Sequence, residues 1–300
     1  MRMFTKYIFC IMLLIALQAC ASQQFQYKAK IISGNWLQDL KIEYVYFGEK
    51  KDVPIQIYFP KSYSKGKEYR VLICLHGYNK NMHDWETNTD IENYADTYNF
   101  ILVCPDMKTT LYELRYYPET TNRWNGIPGG AWIAEKLIPF LRDQFLIALD
   151  KNKTGILGYS RGGRGSILIA CNYPEIFGAA AGLSGSYDNL SMTNDELLTS
   201  LYGAYDEYSE RWKKDDNILD MAVNLKETSI FIAHGTKDWR TNYEQSRLFA
   251  IRLKQLQKKN DEGYKFEYHE KKYKLHDWKF WKGMLPEMMR FFDENLNSEE

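Results

Sequence analysis

Three hundred residues, 45% of them hydrophobic, suffice for one large globular domain with a sizeable buried core. The 39 basic residues balance 39 acidic ones and are dispersed along the chain. That excludes the basic footprint of a nucleic-acid-binding protein and makes a neutral substrate the simpler expectation.

The first residues belong to export rather than to the fold. Met1-Arg-Met-Phe-Thr-Lys6 carries two positive charges, and Tyr7 to Leu17 is almost wholly apolar but too short for a comfortable transmembrane helix. Two endings compete. Ala19-Cys-Ala21 offers a cut after Ala21 and a freely soluble product, whereas Leu17-Gln-Ala-Cys20 resembles a bacterial lipobox. The second is favoured, because a cysteine directly after a small residue otherwise lacks a reason, although Gln18 is an imperfect lipobox residue. The expectation is a signal peptide over 1–20, lipidation of Cys20 and a tether over 21–39. The protein would then be exported and lipid-anchored to a bacterial outer membrane, facing the periplasm or the outside. Cys74, Cys104 and Cys171 remain; an odd number in apolar runs reads as buried thiols rather than a disulfide framework. No Cys/His cluster has metal spacing, and neither a metal nor a cofactor is expected.

Residues 40–47 and 53–59 alternate with period two around a charged turn, which predicts an antiparallel hairpin. The pattern then changes to continuous apolar runs of the kind found in strands covered on both faces: 69–75, 100–105, the short Ile156-Leu157, 177–184 and 228–234. A last strand follows over 264–268. Helices are expected over about 82–98, 131–145, 166–171 and 243–259, the last with Leu248, Ile251, Leu253 and Leu256 on one side, and in a final aromatic-rich segment. Between them lie an aromatic loop over 106–130 and a polar insertion over about 187–227. Strand–helix alternation of this kind predicts an α/β fold, a mostly parallel sheet flanked by helices on both faces, in one domain over 40–300.

One short run organises the chemistry. Gly158-Tyr-Ser160-Arg-Gly162 matches G-x-S-x-G between a strand and a helix, where a strained turn projects a serine hydroxyl above the sheet edge. A serine nucleophile needs a base, and the base needs a carboxylate to fix its tautomer. Of five histidines, His276 follows both Ser160 and Asp238, in the Ser, Asp, His order found with such turns. His83, His269 and His234 are expected to be structural, as is the side chain of His76. Asp238 ends the His234-Gly-Thr-Lys-Asp run and is preferred to Asp188, while Asp277 is badly placed to orient its neighbour. The oxyanion donors are expected to be the backbone N–H groups of Arg161 and Tyr78, with Gly77 letting that backbone approach.

Leu75-His-Gly-Tyr, Gly158-Tyr-Ser-Arg-Gly-Gly, Gly235-Thr-Lys-Asp and His276-Asp-Trp-x-x-Trp together resemble the successive blocks of the esterase D-type "putative esterase" family of α/β-hydrolases. The resemblance runs from about Lys41 to Phe292. It implies the α/β-hydrolase fold and a serine esterase related to feruloyl and acetyl-xylan esterases, S-formylglutathione hydrolases, siderophore esterases and mycolyltransferases. Arg161 departs from the pattern, where the family commonly has an apolar residue. Tyr116 and Trp124 in the aromatic loop are candidate substrate contacts, stacking on sugar or phenolic rings. The expected partner is a small-molecule or oligosaccharide ester, with feruloyl or acetyl groups on carbohydrate preferred. A siderophore-lactone or peptide hydrolase, or a non-catalytic glycan-binding lipoprotein, are the alternatives.

Overall fold

The computed structural model describes residues 30–46, 49–115, 117, 120, 128–145, 147, 149–214, 216–259 and 263–297. Eight strands form one sheet in the order β1-β2-β4-β3-β5-β6-β7-β8. β1 (Asn35–Tyr46), β2 (Glu49–Phe59) and β4 (Phe100–Pro105) pair antiparallel. From β4 onward the sheet is parallel through β3 (Arg70–Leu75), β5 (Thr154–Tyr159), β6 (Ala179–Leu183), β7 (Ser229–Gly235) and β8 (Phe266–Lys271). The mostly parallel sheet with an antiparallel N-terminal hairpin is therefore present.

β1 begins at Asn35, inside the 21–39 segment expected to be tether. Its alternation is broken between Leu37 and Leu40, where the register shifts and Asp39 sits at φ 61°. That irregularity hides the period-two pattern of residues 35–37.

The continuous apolar runs are continuous because both faces are covered. Val71, Ile73, Val103, Ile156, Ala180 and Ile232 face one core, and Leu72, Cys74, Leu102, Leu157, Ala181 and Phe231 face the other. The second core is closed by α1 (Asp84–Asn88) and α2 (Ile91–Tyr98). A single helix over 82–98 was expected; Thr89, fully extended at φ −136°, breaks it in two. The first core is closed by α3 (Gly129–Trp132), a π turn over Ile133–Leu137 and α4 (Ile138–Phe145). Pro139 has no N–H for the Glu135 carbonyl, and the wider turn comes directly before it.

The central helix α5 (Arg161–Asn172) runs from the Ser160 turn beneath the same face. Between β6 and β7 the expected insertion is helical, with α6 (Glu196–Tyr202), α7 (Tyr205–Lys214) and α8 (Ile218–Met221). It builds a third apolar cluster from Leu111, Leu198, Leu201, Tyr202 and Trp212, against which Tyr78 packs. The buried Arg164 guanidinium fastens this cap to the core, donating to the Leu111 and Asp216 carbonyls and the Tyr202 hydroxyl.

In α9 (Glu244–Lys259) the buried stripe is Phe249, Leu253 and Leu256, at i, i+4 and i+7. Leu248 and Ile251, expected on that stripe, are exposed instead. The chain closes with α10 (Trp278–Gly283) and α11 (Leu285–Asn295) over the second core. Cys74, Cys104 and Cys171 are free and buried. Among the described residues no helix is long and apolar enough to cross a membrane.

Candidate active site

Ser160 stands between β5 and α5 at φ 55°, ψ −122°, a conformation that L-residues hold only when their surroundings enforce it. The enforcement is visible. Ser160 N–H donates to the Leu183 carbonyl at 2.8 Å. A Cβ on Gly158 would lie 2.3 Å from the Gly162 carbonyl oxygen, and one on Gly162 would lie 2.5 Å from that of His76. The two glycines of the motif are thus required by strand–helix contact.

Three strand ends bring their side chains together here. His276 Nε2 is 2.9 Å from Ser160 Oγ, and His276 Nδ1 is 2.6 Å from Asp238 Oδ2. The second Asp238 oxygen accepts the backbone N–H groups of Arg240 and Thr241, each at 2.9 Å. Burial works against ionisation of Asp238, but hydrogen bonds from His234, His276 and the Thr241 N–H hold its carboxyl below the usual carboxylate range.

Asp188, the runner-up carboxylate, is occupied elsewhere, accepting the Leu190 N–H at the start of a 3₁₀ turn. Asp277 caps α10 by accepting the Phe280 N–H at 2.9 Å. His83 pairs with Glu86 and His269 with Glu267, away from Ser160. His276 packs edge-to-face on Trp281, with ring centroids 5.0 Å apart, and the Trp281 indole N–H donates to Ser184 Oγ. Trp85, Tyr159 and Trp278 complete an aromatic bed behind the imidazole.

His234 does more than expected. Fully buried, its Nε2 faces both Asp238 Oδ2 at 3.2 Å and the Thr241 carbonyl at 3.1 Å, while Nδ1 meets Ser246 Oγ at 2.7 Å. Two acceptors at Nε2 require the proton there, so a second histidine donates to the carboxylate oxygen that His276 uses. The signal was the i, i+4 spacing of His234 and Asp238, which is unremarkable until the turn after β7 folds it back.

The loop after β3 is held just as firmly. His76 Nε2 accepts the Met107 N–H at 2.8 Å, which leaves the ring proton on Nδ1 to donate to the Gly77 carbonyl at 2.7 Å. Burial pushes the His76 imidazole down in pKa, consistent with this neutral form. The Gly77 carbonyl and the Tyr78 N–H share one planar peptide, so the imidazole sets the direction of that N–H. The Tyr112 hydroxyl secures the His76 carbonyl at 2.9 Å. A Cβ on Gly77 would lie 2.7 Å from the Tyr159 ring, so the close approach needs glycine.

Arg161 follows Ser160 and opens α5, whose first-turn N–H groups have no intrahelical acceptor. Its guanidinium grips both oxygens of Asp195 at 3.0 and 3.1 Å. Asp195 caps α6, so this arginine ties the insertion to the Ser160 turn. The departure at Arg161 is therefore compensated by a carboxylate from the insertion.

Tyr116, Trp124 and Cys20 lie outside the described residues. Among the described residues no group of three or more His, Cys, Asp or Glu side chains could hold a metal ion. A polar cavity of about 500 Å³, lined by Trp36, Tyr58, Glu92 and Asp96 among others, sits at the β1–β2 edge and includes none of Ser160, His276, Asp238, Tyr78 or Arg161.

A sequence model of the family described as "Putative esterase" matches residues 49–292. Feruloyl esterase B of Neurospora crassa is 26% identical over 124 residues, which is 38% of this chain, and the match spans 38% of the length of that relative. Among solved structures, a ferulic acid esterase superposes with a TM-score of 0.66 at 17% identity, covering 88% of this chain and 98% of the other. An S-formylglutathione hydrolase from Agrobacterium tumefaciens superposes with a TM-score of 0.70 at 14% identity, covering 90% and 99%. At such identities the structures share the α/β-hydrolase fold with this chain.

Proposed function

The chain belongs to the "Putative esterase" family, and from that premise we propose that it is a serine carboxylic-ester hydrolase working through Ser160, His276 and Asp238. The unbroken hydrogen-bonded chain from Ser160 Oγ through His276 to Asp238 carries the reading. Ser160 Oγ attacks the acyl carbonyl carbon while His276 Nε2 takes its proton, and Asp238 stabilises the imidazolium that results. The negative oxygen of the tetrahedral intermediate is received by the backbone N–H groups of Arg161 and Tyr78. The first is favoured by the α5 dipole, and the second is oriented by His76. The intermediate collapses by breaking its bond to the alcohol oxygen, to which His276 returns the proton. Water then attacks the acyl-Ser160 ester with His276 again as base, and the carboxylic acid leaves.

The acyl group is assigned as feruloyl or acetyl and the alcohol as carbohydrate. The names of the similar proteins support the feruloyl side. Export and lipidation at Cys20 complete the reading and suit a polymeric substrate outside the cytoplasm; the mass of the N-terminal peptide isolated from membranes checks the anchor.

The test is hydrolysis of p-nitrophenyl acetate, methyl ferulate and acetylated xylo-oligosaccharide by protein lacking residues 1–20. Turnover of methyl ferulate well above the other two supports the feruloyl assignment, and preference for the acetylated oligosaccharide supports the acetyl branch. Activity on none of the three counts against the ester-hydrolase reading.

A further inference from the structure

The two loops that deliver Asp238 and His276 are stitched into one ridge. Thr236 N–H donates to the Lys271 carbonyl at 3.1 Å, Lys237 N–H to the Lys274 carbonyl at 3.0 Å, and Tyr273 N–H to Thr236 Oγ1 at 3.0 Å. A Cβ on Gly235 would lie 2.3 Å from the Lys274 carbonyl oxygen, so the two loops touch at the backbone.

This ridge displays the two most exposed large hydrophobic side chains among the described residues. Trp239 and Tyr273 are each 73% exposed and Leu275 is 43% exposed, although Trp239 adjoins the buried Asp238 and Leu275 adjoins His276. Large exposed apolar groups gathered beside a reactive site mark a contact surface. Lys237, Arg240, Lys272 and Lys274 are exposed on the same two loops. Among the described residues none of these four cations is paired with a carboxylate. The carboxylates within the ridge are committed inward, Asp238 to two imidazoles and two N–H groups, Asp277 to the cap of α10. The neutral formal charge of the whole chain therefore conceals a locally positive rim, and a neutral substrate no longer follows.

The rings and the cations are paired. The Arg240 guanidinium lies over Trp239, 4.5 Å from its centroid, and the Lys237 ammonium over Tyr273 at 5.3 Å. Each contact steadies a ring while leaving most of it in water. A steadied ring with an electron-rich face accepts the weakly positive C–H face of a pyranose. The cations beside it accept carboxylates. A lipid surface fits less well, because neither ring enters hydrocarbon without drawing a cation with it, and a bilayer on this ridge would cover the mouth of the site.

We propose that the ridge binds a uronate-bearing stretch of glycan next to the scissile ester, so that the substrate is an acidic polysaccharide. This rests on the reading of the protein as a carbohydrate ester hydrolase, and the test separates the two. Ser160→Ala protein is titrated with ester-free glucuronoxylan oligosaccharides and with neutral xylo-oligosaccharides of equal length, at low and high salt. The acidic ligand is expected to bind about tenfold tighter, a difference of about 1.4 kcal/mol, with the preference shrinking as salt rises. Lys237→Ser with Arg240→Ser should remove the preference, and Trp239→Ala should weaken both ligands.

Equal binding of acidic and neutral ligands, a preference untouched by the Lys237/Arg240 pair, or sedimentation with anionic lipid vesicles in place of sugar binding would overturn the proposal. Turnover of p-nitrophenyl acetate by the unmutated protein is read in parallel. Turnover without acidic preference sinks the ridge alone. Acidic preference without turnover of any ester upholds the ridge and sinks the esterase reading.

Discussion

Ser160→Ala should lower kcat on a simple ester by about 10⁵-fold or more while leaving the melting temperature nearly unchanged. The loss is large because the proposed mechanism has this hydroxyl form the bond to the acyl carbon, and among the described residues no other hydroxyl or thiol is hydrogen-bonded to His276 Nε2. The stability effect is small for two reasons. Alanine at φ 55° carries the same backbone strain as serine, and the strain is enforced by the glycine contacts on either side rather than by Oγ. The single hydrogen bond lost is to a partly accessible imidazole, worth about 1 kcal/mol. Removing His276 in addition should cost little more, since residues that act as a unit are not additive. Parallel measurement of p-nitrophenyl acetate turnover and thermal unfolding checks both halves. Hydrolysis that survives the substitution undiminished means the nucleophile is elsewhere.

The second large effect is expected from Asp238→Asn, about 10⁴-fold in kcat with folding intact. The geometry dictates the outcome. Arg240 and Thr241 donate N–H groups to Oδ1, so the asparagine carbonyl oxygen must occupy that position. Its NH₂ group then replaces Oδ2 and faces both His276 Nδ1 and His234 Nε2. His276 can accept that hydrogen only by moving its own proton to Nε2, where it points at Ser160 and can no longer take the serine proton. His234 aggravates the change, because its Nε2–H now meets a donor.

In the unmutated protein the hydrogen bonds to Asp238 hold its carboxyl below the usual carboxylate range, so it stays ionised at neutral pH and is protonated only on strong acidification. A depressed folded-state pKa contributes stability above the ordinary carboxylate pKa, and that contribution is lost as pH falls through that range towards the folded value. Circular dichroism melts of the two proteins should therefore converge on acidification. A variant retaining full kcat would show that the carboxylate does not set the tautomer.

Ser160 and Asp238 were readable because each follows a strand in a block whose glycines, Gly158, Gly162 and Gly235, are required by close backbone contact, and such requirements leave a local trace; His276 was readable from its place after both in the chain. The layers were readable too, since buried strands cannot be polar. What escaped depends on how segments return in space. His234 lies four residues from Asp238, and only the turn after β7 brings its Nε2 onto the carboxylate. The buried stripe of α9 shares Leu253 and Leu256 with the expected one but runs through Phe249 rather than Leu248 and Ile251, because hydrophobicity alone does not fix the angular origin of a helix. Residues 35–37 were lost to the irregularity at Asp39. Trp239 and Tyr273 are two of many aromatics in the chain, and their sequence neighbours do not reveal that both are largely exposed.

The most direct test of a serine acyl-enzyme is covalent. The protein is treated with a fluorophosphonate, which mimics the tetrahedral intermediate and transfers its phosphonyl group to an activated serine with loss of fluoride. Intact mass and peptide mapping then locate the adduct. One adduct per chain on the peptide containing Ser160, absent in Ser160→Ala and greatly slowed in Asp238→Asn, is the predicted result. A label on another residue, or no label on protein that hydrolyses esters, would contradict the account.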